Sequence, residues 1–174
     1  KAKELHFKEV CCASTGNMGL SIATYAKKEK IKCTVFISKD ANAEKIEKIR
    51  KQGAIIREVN GDFNSALNAA EKFAVKNRIF VCGDYHFRKE GQKSMIFEII
   101  DQMAYDVPDY IFVQVGNATL ISAIYKGLRE YKLLNLIGKF PKLVAIQSKS
   151  CDPLVTAYKN KSKIEYQQPS TMAD

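Results

Sequence analysis

The stretch VCCASTGNMG, residues 10–19, indicates a strand that enters a helix through a tight glycine turn. Its apolar half is typical of a buried strand, and a helical pattern follows the Ser-Thr-Gly-Asn turn at once. Backbone N–H groups at a helix N-terminus have no intrahelical partner, and the helix dipole is positive there. The turn, with side-chain donors from Ser14, Thr15 and Asn17, therefore predicts a site for a carboxylate or a phosphate. The alternative is that Ser14 or Thr15 only caps the helix.

The composition is that of an ordinary globular protein with an excess of positive charge. The chain has 174 residues, 46% of them hydrophobic, and a net charge of +9. Its lysines are spread along the sequence and several pair with glutamates at helix spacing, which favours solvated helix faces over nucleic-acid binding. No apolar run reaches the length of a membrane span, and no secretory leader is visible. We therefore expect a cytoplasmic protein with no nucleic-acid partner and no membrane partner.

Several kinds of chemistry find little support in the sequence. The five cysteines lie mostly in strand-like runs, which predicts reduced, buried thiols, and no cysteine or histidine spacing resembles a metal site. The chain has only two histidines, His6 and His86, which gives a histidine-based catalytic triad little support. Neither a G-x-G-x-x-G after a strand nor a P-loop is present, which argues against the common nucleotide-binding folds.

Strands and helices alternate along nearly the whole chain. This alternation predicts an α/β fold with open, mainly parallel sheets covered by helices, in a three-layer αβα arrangement. The regular alternation is interrupted by a polar and aromatic loop at residues 83–89, which is followed by one long helix over 90–103. We expect a smaller α/β domain of four parallel strands over residues 1–88 and a truncated part of a larger α/β domain over 89–174. The strands are predicted at residues 10–13, 33–38, 54–59, 79–82, 110–115 and 143–147.

A second tight turn begins at Gly116, where another predicted strand gives way to a helix. In open parallel sheets, ligands bind beyond the carboxyl ends of the strands, and both turns lie at such ends. Two helix N-termini could together hold a ligand with two anionic groups. Between the turns, Asp40 is predicted to cap a helix over residues 41–52, and Lys45 is predicted to lie on its solvated face.

Four stretches of the chain carry a resemblance: CASTGN at residues 12–17, VNGDF at 59–63, RKEGQKS at 88–94 and VGNA at 115–118. In matching order and spacing over nearly the whole chain, they resemble the tryptophan-synthase-like, fold type II family of pyridoxal-phosphate enzymes. The RKEGQKS stretch is similar to the threonine synthase branch of that family. The resemblance implies pyridoxal 5′-phosphate as the cofactor and O-phosphohomoserine as the substrate. A complete enzyme of this kind converts the substrate and water to L-threonine and phosphate.

The resemblance implies roles for two groups of cofactor residues. Asn17 corresponds to the asparagine that bonds the phenolic oxygen of the cofactor. The turn after the later strand corresponds to the loop that cradles the cofactor phosphate. In this chain the loop residues are Gly116, Asn117, Ala118, Thr119 and Leu120.

The resemblance also implies where the substrate is held. Ser14, Thr15 and the backbone of Gly16 match the loop that holds the substrate carboxylate. Arg88 matches the arginine that binds the substrate phosphate, a role suited to its two parallel N–H donors. Lys93 matches a family lysine, which from the sequence alone we interpret as a structural or surface residue.

The chain also departs from the pattern of the family. The Schiff-base lysine of the family would lie upstream of the first turn, so we expect no catalytic residue in this chain and no activity from it alone. Thr119 and Leu120 stand where the family usually has Gly and Asn, and residues 169–174 resemble a family segment cut off midway. The alternatives are a threonine dehydratase-like member of the family and a non-catalytic, anion-binding relic. A homodimer is an option for the assembly.

Overall fold

The computed structural model describes residues 1–14, 16–39, 41–83 and 85–167. The contacts divide the chain into two compact units, an N-terminal unit, Lys1–Gly83, and a C-terminal unit, Asp84–Asp174. The predicted division into a smaller and a larger domain at residue 88 stays a prediction. Each unit is an α/β structure, which agrees with the predicted fold class.

The N-terminal unit contains the predicted open sheet of four parallel strands. The strands are paired in the order β3-β2-β1-β4, and every pairing is parallel. Three helices connect them, as the alternation of patterns predicted. The elements are β1 (Glu9–Ala13), α1 (Asn17–Lys28), β2 (Lys32–Ser38), α2 (Ala43–Lys51), β3 (Ile55–Val59), α3 (Phe63–Asn77) and β4 (Phe80–Val81).

Helices cover both faces of this sheet. Cys12 and Val35 face one apolar cluster, which also contains Ile49 of α2 and residues of α1. Cys11 and Phe36 face the other cluster, which is filled by the alanines of α3. All five cysteines are free thiols, and burial raises the pKa of the Cys11 thiol to about 12. The expected burial is therefore confirmed for Cys11, Cys12 and Cys33, which lie in the strands.

The C-terminal unit contains a two-stranded parallel sheet and four helices. The elements are α4 (His86–Gln92), α5 (Ser94–Gln102), β5 (Tyr110–Gln114), α6 (Thr119–Leu133), β6 (Lys142–Ile146) and α7 (Pro153–Asn160). The predicted loop over residues 83–89 is wrong from His86 onwards, because α4 begins there. The predicted single helix over 90–103 is two helices, since the regular pattern is interrupted at Lys93.

Helix starts agree with the sequence in part. Asp62 caps α3 by accepting a hydrogen bond from the backbone N of Ser65 at 2.9 Å. Asn42 caps α2, and the predicted cap, Asp40, lies outside the described residues. In the part of the chain that the structure describes, no helix is long and apolar enough to cross a membrane. Nor do those residues bring together three or more His, Cys, Asp or Glu side chains that could hold a metal ion.

Candidate functional site

The first turn, residues 14–19, is closed by the side chain of Ser14. This serine is only 6% exposed, and its backbone N donates to the carbonyl of Phe36 on β2. Its Oγ accepts hydrogen bonds from the backbone N of Gly19 at 2.9 Å and of Gly16 at 3.3 Å. Ser14 thus does what the capping alternative predicted. A hydroxyl that accepts two hydrogen bonds can also donate one, so this geometry is compatible with a carboxylate ligand as well.

Gly19 allows α1 to pack closely against its surroundings. A Cβ at this position would lie 3.1 Å from Cδ1 of Ile49 and 3.2 Å from Cβ of Ser14. These distances are shorter than ordinary van der Waals contact, so a larger residue would require Ile49 or the first turn to shift. The glycine therefore sets the position of the α1 N-terminus.

The other predicted residues of the first turn lie at the start of α1. Gly16 is the N-cap residue, and Asn17 is the first residue of the helix and is exposed to solvent. Thr15 lies outside the described residues. An exposed amide side chain at a helix N-terminus is in a suitable place to donate to an anion, which supports the predicted role of Asn17 without testing it.

Lys45 reaches the first turn from α2, which the sequence analysis missed. Its Nζ lies 3.7 Å from the point where a Cβ on Gly16 would be, and the residue is half-buried. Lys45 is therefore less exposed than the predicted solvated face of its helix suggests. The sequence signal was the local spacing of lysines and glutamates, which does not report packing between α1 and α2. An ammonium group beside a helix N-terminus adds to the positive potential there.

The second turn, residues 116–120, is shaped by a left-handed residue. Ala118 has a φ of 60°, a conformation that glycine adopts more readily. Oδ1 of Asn117 accepts a hydrogen bond from the backbone N of Thr119 at 3.2 Å and another from the Thr119 hydroxyl. The turn is therefore held by its own side chains.

The front of the second turn is open. Gly116 and Asn117 are exposed, whereas Thr119 is buried, and Leu120 is half-buried in the first turn of α6. Around Gly116, the described residues place no heavy atom within 4 Å of a Cβ position, apart from its chain neighbours. An exposed backbone at the N-terminus of a 15-residue helix fits a phosphate group. The Thr119 hydroxyl is engaged with Asn117 and closes the turn.

Gln147, the residue that follows β6, supports the second turn, another role that sequence reasoning missed. Its Nε2 donates to the carbonyl of Val115, the residue before the turn, at 3.4 Å. Its Oε1 accepts hydrogen bonds from the backbone N of Leu154 at 2.9 Å and of Val155 at 3.1 Å. One side chain thus links the end of β5 with the first turn of α7.

Arg88 is half-buried and is the third residue of α4, where its backbone N donates to the carbonyl of Tyr85 at 3.0 Å. Helix α4 packs against α6, whose N-terminus forms the second turn. The structure therefore places Arg88 and the second turn in the C-terminal unit. Ser14, Gly16 and Asn17 are in the N-terminal unit.

Comparison with known proteins gives this geometry a context. The family described as "Pyridoxal-phosphate dependent enzyme" matches residues 1–174. The threonine synthase of Methanocaldococcus jannaschii is 38% identical over 177 residues, which cover 99% of this chain and 44% of that protein. The threonine synthase of Methanosarcina acetivorans is 38% identical over 162 residues, which cover 92% of this chain and 40% of that protein. The chain thus spans less than half the length of these relatives.

Solved structures show the same architecture. The processed form of threonine deaminase isoform 2 from Solanum lycopersicum matches with a TM-score of 0.82. The match covers 99% of this chain and 49% of that chain, at 17% sequence identity. At this identity the likeness shows the fold alone, and it confirms the predicted fold class.

Proposed function

This chain belongs to the family of pyridoxal-phosphate dependent enzymes, and on that premise we propose that the complete protein is a threonine synthase. It converts O-phosphohomoserine and water to L-threonine and phosphate in the cytoplasm. The observation that carries the proposal is the 38% identity to a threonine synthase along 99% of the chain. The activity belongs to the full-length protein, because the chain spans 44% of that relative.

The residues of the second turn fit the phosphate of the cofactor. The backbone of Gly116 and Asn117 is exposed at the α6 N-terminus, and Thr119 and Leu120 follow as the first residues of that helix. When bound, pyridoxal phosphate supplies an electron sink for the substrate carbon atoms. Asn17 is the proposed partner of its phenolic oxygen. The hydrogen bonds between Thr119 and Asn117 keep the turn in shape, so the departure from the family's Gly and Asn at residues 119–120 is compatible with phosphate binding.

The substrate is held by two further groups. The first turn binds the carboxylate through Ser14, Thr15 and the backbone of Gly16, supported by the positive end of the α1 dipole. Arg88 binds the phosphate of O-phosphohomoserine. A planar guanidinium can donate two parallel N–H bonds to one phosphate, which a lysine cannot do.

Replacement of Arg88 in the full-length protein tests the proposal. Arg88→Lys and Arg88→Ala should each raise the KM for O-phosphohomoserine by at least about tenfold, because a charge-assisted pair of hydrogen bonds is lost. The affinity for pyridoxal phosphate should stay within about threefold of the parent. The matched control is Arg129→Lys, which changes an exposed arginine of α6. If both Arg88 variants keep kcat/KM within about threefold of the parent, Arg88 does not bind the substrate phosphate.

The alternatives predict other results in the same assays. A threonine dehydratase-like enzyme would release ammonia from L-threonine and would not need the phosphate of O-phosphohomoserine. An anion-binding relic would bind inorganic phosphate without turning over either substrate. The likeness to threonine deaminase favours neither, since at 17% identity it reports the fold.

A further inference from the structure

Four charged residues join α4 to α6 and together form what we call the α4–α6 charge cluster. Its members are Glu90, Lys93, Lys126 and Glu130. Nζ of Lys93 lies 2.8 Å from both carboxylate oxygens of Glu130 and 2.5 Å from Oε2 of Glu90. Glu90 also binds Lys126, and Lys126 lies 4.0 Å from Glu130. Two acidic and two basic side chains thus alternate across the contact between the helices.

Lys93 is the least exposed member of the cluster. Its side chain is 12% exposed, compared with 47% for Lys126 and 44% for Glu90. Exposed ion pairs contribute little, but a sheltered cation that loses its anions is left with an uncompensated cost. Of the two interpretations of Lys93 from the sequence, structural or surface, the ion pairs favour the structural one, and Lys93 is the residue on which the cluster depends.

The close approach of the helices explains why Lys93 is sheltered. A Cβ on Gly127 would lie far inside van der Waals contact with Ile96 and 3.1 Å from Cε1 of Phe97. The absence of that Cβ lets α5 lie directly on α6, one residue after Lys126. The interruption between α4 and α5 falls at Lys93, so this residue stands where the chain changes from one helix to the next.

The ion pairs place the end of α4 against the middle of α6. Glu90 meets Lys126, and Lys93 meets Glu130. Arg88 lies two residues before Glu90 on α4, and the second turn forms the N-terminus of α6. At 1.5 Å per residue, Arg88 is about 3 Å along the α4 axis from Glu90, and Thr119 is about 10 Å along the α6 axis from Lys126.

We propose that Lys93 is a positioning residue that, through Glu90 and Glu130, fixes Arg88 relative to the second turn. This inference rests on the proposed function, in which Arg88 binds the substrate phosphate and the second turn binds the cofactor phosphate. The α4–α6 charge cluster then sets the distance between the substrate phosphate and the cofactor phosphate. Lys93 acts on the substrate only through the helix that carries Arg88.

The test uses the full-length protein with cofactor and four variants. Lys93→Met removes the cation at similar length, and Lys93→Arg keeps it. Lys139→Met is the matched control, because it removes an exposed ion pair with Asp109 in the same unit. Arg88→Ala completes a double-mutant cycle with Lys93→Met, which measures whether the two residues act through one interaction.

A positioning role predicts a defined pattern. Lys93→Met should raise the KM for O-phosphohomoserine and the inhibition constant of inorganic phosphate by about tenfold, with kcat and cofactor affinity within about threefold. Lys93→Arg should recover most of the loss. In the Arg88→Ala background, Lys93→Met should add less than about twofold, because Arg88 is no longer there to be positioned. Lys139→Met should leave all of these constants unchanged.

Two results would overturn the inference in distinguishable ways. If Arg88→Ala weakens phosphate binding and Lys93→Met multiplies that loss in full, Lys93 is not acting through Arg88 and only the positioning role fails. If Arg88→Ala itself leaves phosphate binding unchanged, the proposed substrate site fails as well. Should Lys93→Met not fold, Glu130→Gln replaces it in the cycle. This variant keeps the shape of Glu130, and the same non-additivity with Arg88→Ala is expected.

Discussion

The two turns of this chain have the same structural role but are built from different residues. Each joins a parallel strand to a helix, and in each a side-chain oxygen accepts a hydrogen bond from the backbone of the helix start. The first turn uses Ser14, which is buried, and packs Gly19 against neighbouring side chains. The second turn uses Asn117, which is exposed, and leaves open space around Gly116.

This difference separates what holds a turn together from what leaves it open to a ligand. In the first turn, Ser14, which would face a carboxylate, is itself buried, so a substitution of this residue changes folding and binding together. In the second turn, the buried Thr119 keeps the shape while the exposed backbone of Gly116 and Asn117 faces outwards. Substitutions in the second turn should therefore affect binding more than folding.

The same replacement of glycine in the two turns gives the largest expected contrast. Gly19→Val should lower the free energy of unfolding by about 3 kcal/mol, because the added methyl groups meet Ile49 and Ser14. Gly116→Val should lower it by less than about 1 kcal/mol, since its Cβ would point into open space, but should weaken binding of pyridoxal phosphate. Urea denaturation and cofactor titration of the full-length variants measure the two effects. Equal losses of stability would show that the second turn is packed as tightly as the first.

Removal of the capping oxygens gives a smaller contrast. Ser14→Ala should cost about 2 kcal/mol, because two backbone N–H groups in a buried turn lose their acceptor. Asn117→Ala should cost about 1 kcal/mol, as for an exposed helix cap, since water can replace the lost acceptor. The same denaturation experiment measures both values. A larger loss for Asn117→Ala than for Ser14→Ala would contradict the distinction between a buried and an exposed cap.

Acid should weaken the contact between α4 and α6, because Glu90 loses its charge. Hydrogen bonds from Lys126 and Lys93 lower the pKa of Glu90 from its ordinary 4.5 to about 2. Because the folded pKa is the lower one, this contribution to stability is present above about pH 4.5 and is lost as the pH falls towards 2. Between these values, the urea midpoint of the parent should fall more than that of Glu90→Gln.

The control for this pH dependence is Glu47→Gln in the N-terminal unit. Glu47 forms an exposed ion pair with Arg50 on the same helix, so its removal changes the charge without touching the α4–α6 charge cluster. Its pH dependence should follow the parent. If Glu90→Gln shows the same fall as the parent, the cluster does not contribute to stability in acid.

Periodicity predicted the sheet because the sheet is built from local patterns. The runs around Val10, Val35 and Ile56 are apolar and β-rich, and each is followed by a helical pattern, which leaves parallel pairing as the simple solution. The start of α4 was missed because His86 to Lys89 has no apolar stripe. That helix is held by charge pairs with α6, such as the one between Lys93 and Glu130, 37 residues apart in sequence. Sequence spacing does not reveal a contact of this range.

The backbone turns of the site could be predicted from the sequence, whereas the side chains that reach them from other elements could not. Strand-to-helix turns follow from residue type, so both turns were found where the structure has them, although the roles of their residues stay predictions. The contributions of Lys45 and Gln147 were missed because they come from elements that are distant in sequence. Each becomes visible only when α2 packs beside α1 and β6 pairs with β5.

The smallest expected effect concerns Lys45, which brings a positive charge to the first turn. Its ammonium lies beside the N-terminus of α1, where a cation gains nothing from the helix dipole. Lys45→Met should therefore change the free energy of unfolding by no more than about 0.5 kcal/mol. It should raise the KM for O-phosphohomoserine about threefold, because the carboxylate loses a nearby cation. Lys48→Met, which removes an exposed lysine paired with Glu44 on the same helix, is the control and should leave KM unchanged. If Lys45→Met lowers stability by more than about 1 kcal/mol with no change in KM, the lysine supports the packing of α2 and does not act on the ligand.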